Sequence, residues 1–303
     1  MTAICCDRPV PEQTSNNSQL IAELRSVAEE VAEVATRFVR RRRPEVFGVS
    51  GPVADGAVRA KSTPTDPVTI VDSECEKLIR EELHRRRPGD AVLGEEGGGD
   101  ATATAGVRWV VDPIDGTVNF MYGIRAYAVS VAAQIDGASV AGAVADVASG
   151  ALYSAALGQG AALRQLDRED AVRAAPHPLR CSSETDVSHA LVATGFAYAA
   201  EIRRKQGAFV AAILPKVRDI RRIGSAALDL CMVASGQVDA HFEHGLNPWD
   251  WAAGSLIARE AGAVVQLPRA SGAGARHVTV AAAPGIADEF LELLRAHGAL
   301  EPV

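Results

Sequence analysis

Four short apolar runs follow one another between residues 126 and 163, and they constrain the fold more than any other part of the chain. Turn sequences separate them, Asp136-Gly137 after the first run and Ser149-Gly150 after the second. Turns this short join antiparallel neighbours. The pattern therefore predicts an antiparallel meander rather than a doubly wound parallel sheet. The runs are residues 126–134, 139–147, 151–156 and 161–163.

Helical patterns precede and follow this meander. Residues 19–43 carry apolar side chains at helical spacing, and we expect Pro44 to end that helix. A second helix is predicted over residues 72–87. After the meander, strands and helices alternate to the end of the chain, so the sequence predicts an α+β protein. The later strands are predicted at 191–194, 219–222, 238–242 and near Val278, and the later helices at 202–214, 225–234, 249–261 and 286–297.

The segment that leads into the meander carries the clearest chemical signal. Its apolar run, residues 109–111, predicts a buried strand, and the strand ends in Asp112 and Asp115 around Pro113. Gly116 then permits a tight turn into a helical stretch. Two carboxylates at a strand end, beside free backbone N–H groups, can hold a hard divalent cation together with a phosphate. The segment therefore indicates phosphoryl chemistry.

Acidic residues elsewhere extend this set. Glu95 and Glu96 follow the apolar run 91–93, Asp72 precedes a predicted helix, and Asp250 lies near the first turn of another. Taken singly, a strand-end glutamate is usually solvated and an aspartate before a helix is usually an N-cap. Their occurrence in order along one chain favours a shared site. Because every candidate ligand is oxygen, Mg²⁺ is the expected ion.

Composition limits the kinds of protein this chain could be. With 303 residues it can form one large domain or two intimate ones. The formal net charge of −7 argues against nucleic acid as the main partner. The five cysteines are scattered without metal-ligand spacing, which favours a reducing cytoplasm. Residues 1–18 contain no apolar core, so we expect a disordered lead-in rather than a secretory signal, and no run is long enough to cross a membrane.

Together these motifs resemble those of the inositol monophosphatase family, in its bacterial form. The resemblance spans roughly residues 20–294. It implies a layered α/β sandwich, αβαβα, in which antiparallel or mixed sheets alternate with helix layers. The matching blocks are residues 61–72 (KSTPTDPVTIVD), 94–96 (GEE), 112–120 (DPIDGTVNF), 224–231 (GSAALDLC) and 249–254 (WDWAAG).

The resemblance also implies two intimate subdomains. We expect residues 19–165 to form an N-terminal α+β subdomain that carries most metal ligands. Residues 184–303 would form a C-terminal α/β subdomain that carries Asp250 and the substrate pocket. The boundary between them is weak in the sequence.

A ligand set for two to three Mg²⁺ ions follows from the same resemblance. Glu95, Asp112 and the backbone carbonyl of Ile114 would hold the first ion. Asp112, Asp115 and Asp250 would hold the second, so that Asp112 bridges the two. A third, looser ion would lie near Glu95 and be held through water.

Family resemblance assigns the catalytic roles to Glu95, Thr117 and Asp72. Thr117, supported by Asp72, would position the nucleophilic water. The N–H groups of Gly116 and Thr117 would hold phosphate oxygens. Glu96 would hydrogen-bond nearby backbone or metal-bound water rather than a metal. Lys61 matches a lysine near the phosphate, although a solvated loop lysine is nearly as good an interpretation.

The resemblance also implies the substrate contacts. The turn Gly224-Ser225-Ala226 matches the part of the family that contacts the polyol, and Glu243 matches an acid that accepts hydrogen bonds from inositol hydroxyls. The basic residues 203–205 and 221–222 raise an alternative. If one of them points into the pocket, a second phosphate or a nucleotide becomes a candidate ligand. Otherwise Arg221 and Arg222 would pair with acids between subdomains or subunits.

The implied protein is a magnesium-dependent, lithium-sensitive phosphatase. It would hydrolyse the small phosphate monoester inositol 1-phosphate by in-line attack of a metal-activated water, as a cytoplasmic homodimer. One alternative is a broader sugar-phosphate (including fructose 1,6-bisphosphate), nucleotide 3′-phosphate or histidinol-phosphate phosphatase. A second alternative is a regulatory protein on the same fold that binds a polymerase or RNA.

Overall fold

The computed structural model describes residues 15–48, 58–60, 67–99, 106–166, 175–268 and 277–303. Seven α-helices lie within these ranges: α1 (Ser15–Phe47), α2 (Ile70–Arg86), α3 (Thr117–Tyr122), α4 (Ala200–Ile213), α5 (Ala226–Ala234), α6 (Pro248–Glu260) and α7 (Ala287–Ala296). Lys61 and most of the expected lead-in lie outside the described residues.

Fourteen strands accompany the helices in the described ranges. The first eight are β1 (Val58–Ala60), β2 (Pro67–Thr69), β3 (Ala91–Gly94), β4 (Val107–Asp115), β5 (Ala128–Ile135), β6 (Ala138–Asp146), β7 (Ala151–Ala156) and β8 (Ala161–Gln165). The others are β9 (His177–Pro178), β10 (Leu191–Thr194), β11 (Asp219–Arg221), β12 (Ala240–His244), β13 (Val264–Gln266) and β14 (Val278–Ala282).

The larger sheet contains seven strands in the order β3-β4-β5-β6-β7-β8-β9. β3 and β4 are parallel, and every other neighbouring pair is antiparallel. The predicted meander is therefore confirmed, and it forms the middle of this sheet. The boundary predicted between residues 166 and 183 includes β9, which extends the same sheet. The division into two subdomains stays a prediction.

Small side chains in β6 allow helices to pack on both faces of this sheet. Ala141, Ala143 and Ala145 are buried in the cluster that contains the apolar face of α1. Gly142 faces the other side, where a Cβ would lie 3.1 Å from the Cα and the Cβ of Ala253 in α6. The alternation of strand side chains assigns one helix layer to each face.

The smaller sheet has five strands in the order β11-β10-β12-β14-β13, with β10 parallel to both of its neighbours. Helices α5 and α6 lie between the two sheets, while α4 and α7 contact each other and α7 packs on β14. The order is helices, sheet, helices, sheet, helices, which confirms the predicted layered fold. Strand β13, only three residues long, was not predicted.

Pro44 does not end α1, contrary to the sequence prediction. The helix runs through it to Phe47, and the N–H of Gly48 donates to the Pro44 carbonyl at 3.0 Å. Tertiary contacts hold this last turn. The ring of Phe47 meets Phe120 edge to face at 5.3 Å, and Arg43 Nε donates to the Phe120 carbonyl at 3.0 Å. These contacts outweigh the backbone hydrogen bond that a proline cannot make.

Among the described residues, no helix has the length and apolar character needed to span a membrane.

Candidate active site

A cavity of about 1190 Å³ opens where β4 ends and where α3 and α6 begin. Its walls carry an unusual density of carboxylates, which requires either protons or cations for charge balance. The acidic residues that line it are Glu95, Asp112, Asp115, Glu243 and Asp250.

Three of these carboxylates form a compact cluster. Asp112, Asp115 and Asp250 each offer an oxygen, and these oxygens all lie within 4.8 Å of one another. In a regular strand, residues three apart point to opposite faces. The pairing of β4 with β5 is irregular between Asp112 and Asp115, and this bulge brings both side chains to the same side.

Burial and mutual repulsion perturb the cluster. Burial raises the pKa of Asp112 well above its usual range, and the charges of Glu95 and Asp115 add to the effect. Burial likewise raises the pKa of Asp250, with Asp115 and Glu95 as the next causes. Acids held together against their own repulsion are the arrangement that a divalent cation stabilises.

Asp115 is held in place by the start of α5. Its Oδ2 accepts hydrogen bonds from Ser225 Oγ at 2.5 Å and from the N–H of Ala227 at 2.7 Å. Burial raises the pKa of Asp115 to about 6, and these hydrogen bonds oppose the rise. Ser225 also caps α5, since its Oγ accepts from the N–H of Leu228 at 3.3 Å. The first turn of α5 therefore fixes one side of the cluster.

Asp250 is positioned by the first turn of α6. Its Oδ2 accepts a hydrogen bond from the N–H of Asn247 at 2.6 Å. A carboxylate three residues into a helix is also favoured by the helix dipole. The predicted acid near the first turn is thus placed beside Asp112 and Asp115.

Glu95 completes the acidic wall from the turn after β3. It shares a side-chain hydrogen bond with Asp112. This turn is fixed by Glu76 of α2, a residue that the sequence motifs do not single out. Its buried carboxylate accepts from the N–H groups of Glu96 at 2.7 Å and Gly97 at 2.8 Å. One feature of the sequence could have revealed Glu76: it lies one helical turn after Asp72, on the same face of α2.

Thr117 and Asp72 meet beside the acidic cluster. Thr117 Oγ1 lies 3.0 Å from Asp72 Oδ1 and 3.1 Å from the carbonyl oxygen of Ile114. Asp72 Oδ2 accepts from both the N–H and the hydroxyl of Thr69. Burial raises the pKa of Asp72 to about 7, the hydrogen bond from Thr69 opposes this, and the charges of Glu96 and Glu95 increase it. The pairing predicted between Thr117 and Asp72 is present.

Two glycines let the turns of the site approach each other. Gly116 has φ +94°, and a Cβ there would lie 2.9 Å from the carbonyl oxygen of Ala126 and 3.1 Å from that of Gly224. Gly224 has φ +97°. Asn119, which the sequence analysis did not select, joins the turns, because its Nδ2 donates to the carbonyls of Ala126 at 2.8 Å and Ile223 at 2.9 Å.

Glu243 of β12 also lines the cavity. A Cβ on Gly195 would collide with its carboxylate, so that glycine makes room for the acid. Burial raises the pKa of Glu243 to about 8, the charge of Asp115 increases it, and Arg222 opposes it. The turn of Gly224, Ser225 and Ala226 lines the same cavity.

Arginine placement corrects one expectation. Arg222 and Arg203 both line the cavity. Arg221 does pair, but with Asp219 of its own strand, at 2.6 Å. Adjacent residues of an extended segment point to opposite sides, which accounts for the different environments of Arg221 and Arg222.

Comparison with known proteins gives consistent matches. The inositol monophosphatase family, described by a sequence model, matches residues 20–299. The chain is 58% identical to inositol-1-monophosphatase SuhB of Mycobacterium tuberculosis, over 93% of this chain and 97% of that protein. It is 36% identical to a protein of Haemophilus influenzae named Nus factor SuhB, over 76% of this chain and 83% of that one.

Solved structures show the same relationship. Mycobacterium tuberculosis SuhB superimposes with a TM-score of 0.76 and 52% sequence identity, covering 92% of this chain and 98% of that one.

Proposed function

This chain belongs to the inositol monophosphatase family, and we propose that it hydrolyses inositol 1-phosphate to inositol and phosphate with Mg²⁺ as cofactor. The observation that carries the proposal is the cluster of Asp112, Asp115 and Asp250 within 4.8 Å, beside the Thr117–Asp72 pair. Relatives named inositol-1-monophosphatase place the chain among phosphatases of small phosphate esters.

The residues fit a magnesium centre. Three carboxylates converge, of which Asp112 and Asp115 are buried and Asp250 is partly buried. Glu95 is hydrogen-bonded to Asp112, and all the candidate ligand atoms are oxygen, the type that Mg²⁺ prefers. We assign Glu95, Asp112 and the Ile114 carbonyl to one ion, and Asp112, Asp115 and Asp250 to another. A third ion would be held near Glu95 through water. Bound Mg²⁺ lowers the pKa of a coordinated water and neutralises charge on the leaving oxygen.

The protein itself orients the reactants. Asp72 accepts a hydrogen bond from the Thr117 hydroxyl. The lone pairs of the Thr117 oxygen therefore stay available for a hydrogen bond from the attacking water. Gly116 and Thr117 line the cavity, and their N–H groups would hold phosphate oxygens. Attack of water on phosphorus, opposite the ester oxygen, would form the new P–O bond as the ester P–O bond breaks, and a proton from the water would end on the released inositol oxygen. This route needs no covalent intermediate.

Glu243 and the turn at Ser225 support the polyol part of the proposal. Both line the cavity that contains the acidic cluster. An acid there hydrogen-bonds to neutral hydroxyl groups, and in its ionised form it repels a second phosphate. These features favour an inositol monophosphate over a bisphosphate.

Phosphate release from inositol 1-phosphate tests the proposal directly. Purified protein would be assayed across a titration of Mg²⁺, with and without Li⁺. We expect turnover that requires Mg²⁺ and is inhibited by Li⁺. Strong activity on another monoester, with none on inositol 1-phosphate, would refute the substrate and keep the chemistry. No release from any phosphate ester would refute the proposal as a whole.

A second candidate substrate is favoured by the arginines in the cavity. Because Arg203 and Arg222 line it, a substrate with a second anionic group, such as fructose 1,6-bisphosphate or adenosine 3′,5′-bisphosphate, could bind there. If it does, Arg203→Ala should raise KM for the bisphosphate about tenfold, the effect of losing one charged hydrogen bond. Arg204→Ala, next in sequence, is the matched control. Equal KM values for both variants would exclude this substrate class.

The regulatory alternative is favoured by the relative named Nus factor SuhB. An Asp115→Asn variant separates the two functions, because it alters the acidic cluster and leaves the surface intact. A biological role that persists without turnover would support a binding function.

We also propose a homodimer and a cytoplasmic location, on the family resemblance and the absence of disulfides in the described residues. Light scattering of the purified protein tests the homodimer.

A further inference from the structure

A second group of potential metal ligands lies beside the substrate cavity. Asp229 of α5, His241 of β12 and Glu243 of β12 each offer one ligand atom, and these atoms all lie within 4.8 Å of one another. His241 and Glu243 are two residues apart, so they point to the same face of the strand. Helix α5 packs on β12 and carries Asp229 to that face. The proposed hydrolysis uses Glu243 and gives no role to Asp229 or His241.

Asp229 and His241 are buried, and their polar atoms have no hydrogen-bond partners among the described residues. Asp229 is 1% exposed and His241 is fully buried. Both carboxylate oxygens of Asp229 and both ring nitrogens of His241 are unpaired. Buried polar groups are almost always paired, because leaving one unpaired costs roughly 1–3 kcal/mol. Four such atoms together indicate a site built for a shared ligand.

The spacing of the two side chains suits a metal better than a direct hydrogen bond. His241 Nδ1 lies 3.7 Å from Asp229 Oδ2, too far for a hydrogen bond. Ligands of a tetrahedral zinc ion with bonds of ~2.0–2.1 Å lie about 3.3 Å apart. A shift of a few tenths of an ångström would therefore bring both atoms to bonding distance of one ion.

We propose that Asp229, His241 and Glu243 bind a divalent transition-metal ion of the Zn²⁺ class. The imidazole nitrogen decides the class, because Zn²⁺ accepts a histidine with two carboxylates whereas Mg²⁺ prefers oxygen alone. Two carboxylates and a neutral imidazole carry a charge of −2, which one divalent ion neutralises. The site is distinct from the cluster of Asp112, Asp115 and Asp250, whose ligands are all oxygen.

Binding at this site has a consequence for the substrate. Glu243 lines the cavity, so an ion can reach the group from the substrate side. An ion that ligates Glu243 occupies the carboxylate assigned to inositol hydroxyls, and so raises KM more than it lowers kcat. This inhibitory effect rests on the proposed function. The binding of the ion does not.

Equilibrium dialysis of Zn²⁺ against the full-length, Mg²⁺-saturated protein tests the site, and Co²⁺ absorption reports the nitrogen ligand. The test variants are His241→Gln and the isosteric Asp229→Asn. The matched control is His244→Gln, since His244 is a buried histidine of the same strand on the opposite face. Circular dichroism shows which variants fold, and Asp229→Asn carries the test if His241→Gln does not.

We expect wild type and His244→Gln to bind one more Zn²⁺ than either test variant, or to bind it at least about tenfold more tightly. Equal Zn²⁺ stoichiometry and affinity in wild type and both test variants would overturn the site. Zn²⁺ that binds at the site without raising KM would overturn the inhibitory role. If inositol 1-phosphate is not hydrolysed but the difference in Zn²⁺ binding persists, the proposed function fails and the metal site stands.

Discussion

At the scale of single residues, Asp115 connects three parts of the site. It belongs to the acidic cluster, it accepts hydrogen bonds from Ser225 and Ala227 at the start of α5, and its charge adds to burial in raising the pKa of Glu243. Replacing Asp115 by asparagine keeps an acceptor for Ala227 and removes the charge, so folding and catalysis can be separated.

We therefore predict that Asp115→Asn folds normally and loses about two to three orders of magnitude in kcat, as when one electrostatic contact to a transition state is removed. The control is Asp219→Asn, an exposed aspartate paired with Arg221. Steady-state rates at saturating Mg²⁺, with thermal melts for both variants, provide the measurement. An unchanged kcat for Asp115→Asn would contradict the ligand assignment.

The sequence revealed residues whose signal is local. Asp112 and Asp115 follow an apolar run and precede a glycine turn, so strand, acids and turn are contiguous in the chain. Glu76 and Asn119 could not be found this way, because the groups they bind are brought near by folding. Glu76 accepts from a turn 20 residues later, and Asn119 donates to Ile223, 104 residues away.

At the scale of elements, helix α2 supports the turn that carries Glu95. The carboxylate of Glu76 accepts from two backbone N–H groups of that turn and from Arg80 Nε at 2.8 Å. Neither Gly94 nor Gly97 could carry a Cβ without meeting Glu76. The turn is thus fitted to this one side chain, and the position of Glu95 depends on it.

Glu76→Gln should therefore affect the metal more than the chemistry. One carboxylate oxygen becomes an NH₂ group that faces a backbone N–H, which should cost about 1–3 kcal/mol in the free energy of unfolding. We expect a higher Mg²⁺ concentration for half-maximal activity and a smaller change in kcat at saturation. Glu74→Gln is the control, because Glu74 lies on the same helix and pairs with Arg42 near the surface. Equal Mg²⁺ requirements in the two variants would refute this role.

Elements were predictable where the periodicity reflects burial. The strands of the meander are apolar runs of small residues bounded by turn sequences, and the helices after it carry apolar side chains at helical spacing. Both formed as expected. Pro44 and β13 were exceptions. The helix passes through Pro44 because Phe47 packs on Phe120, and β13 is a short strand held by its pairing with β14. Both depend on contacts between distant segments, which local patterns do not contain.

At the scale of the whole molecule, the packing of sheets and helices buries several carboxyl groups. The layer order was predictable from the family motifs, whereas the burial of Asp229 and His241 became visible only once α5 packed on β12. Burial raises the pKa of Asp72 to about 7 and of Glu243 to about 8. The free energy of unfolding of the whole molecule should therefore depend on pH.

The sign of that response follows from the direction of each shift. A carboxyl group whose pKa is higher in the folded state holds its proton longer there, so rising pH favours the unfolded state until the folded pKa is passed. Burial lowers the pKa of His241 to about 3 and of His244 to about 4, which gives the opposite trend, but only below their unfolded pKa of about 6.5. Between about pH 6.5 and 8 the carboxyl groups dominate the trend, and the buried thiols of Cys75 and Cys231, whose pKa burial also raises, act in the same direction near the upper end.

We predict that the Tm of the metal-free protein falls by at least roughly 2 °C between pH 6.5 and 8. Saturating Mg²⁺ should reduce this fall, because it stabilises the ionised carboxylates of the folded state. Thermal melts in a chelator, repeated with Mg²⁺ at each pH, provide the measurement. Glu243→Gln should flatten the dependence of Tm on pH in the metal-free protein, because it removes one of the carboxyl groups whose pKa is raised. A Tm that rises over this range without metal would show that the buried acids are already ionised and paired in the folded protein.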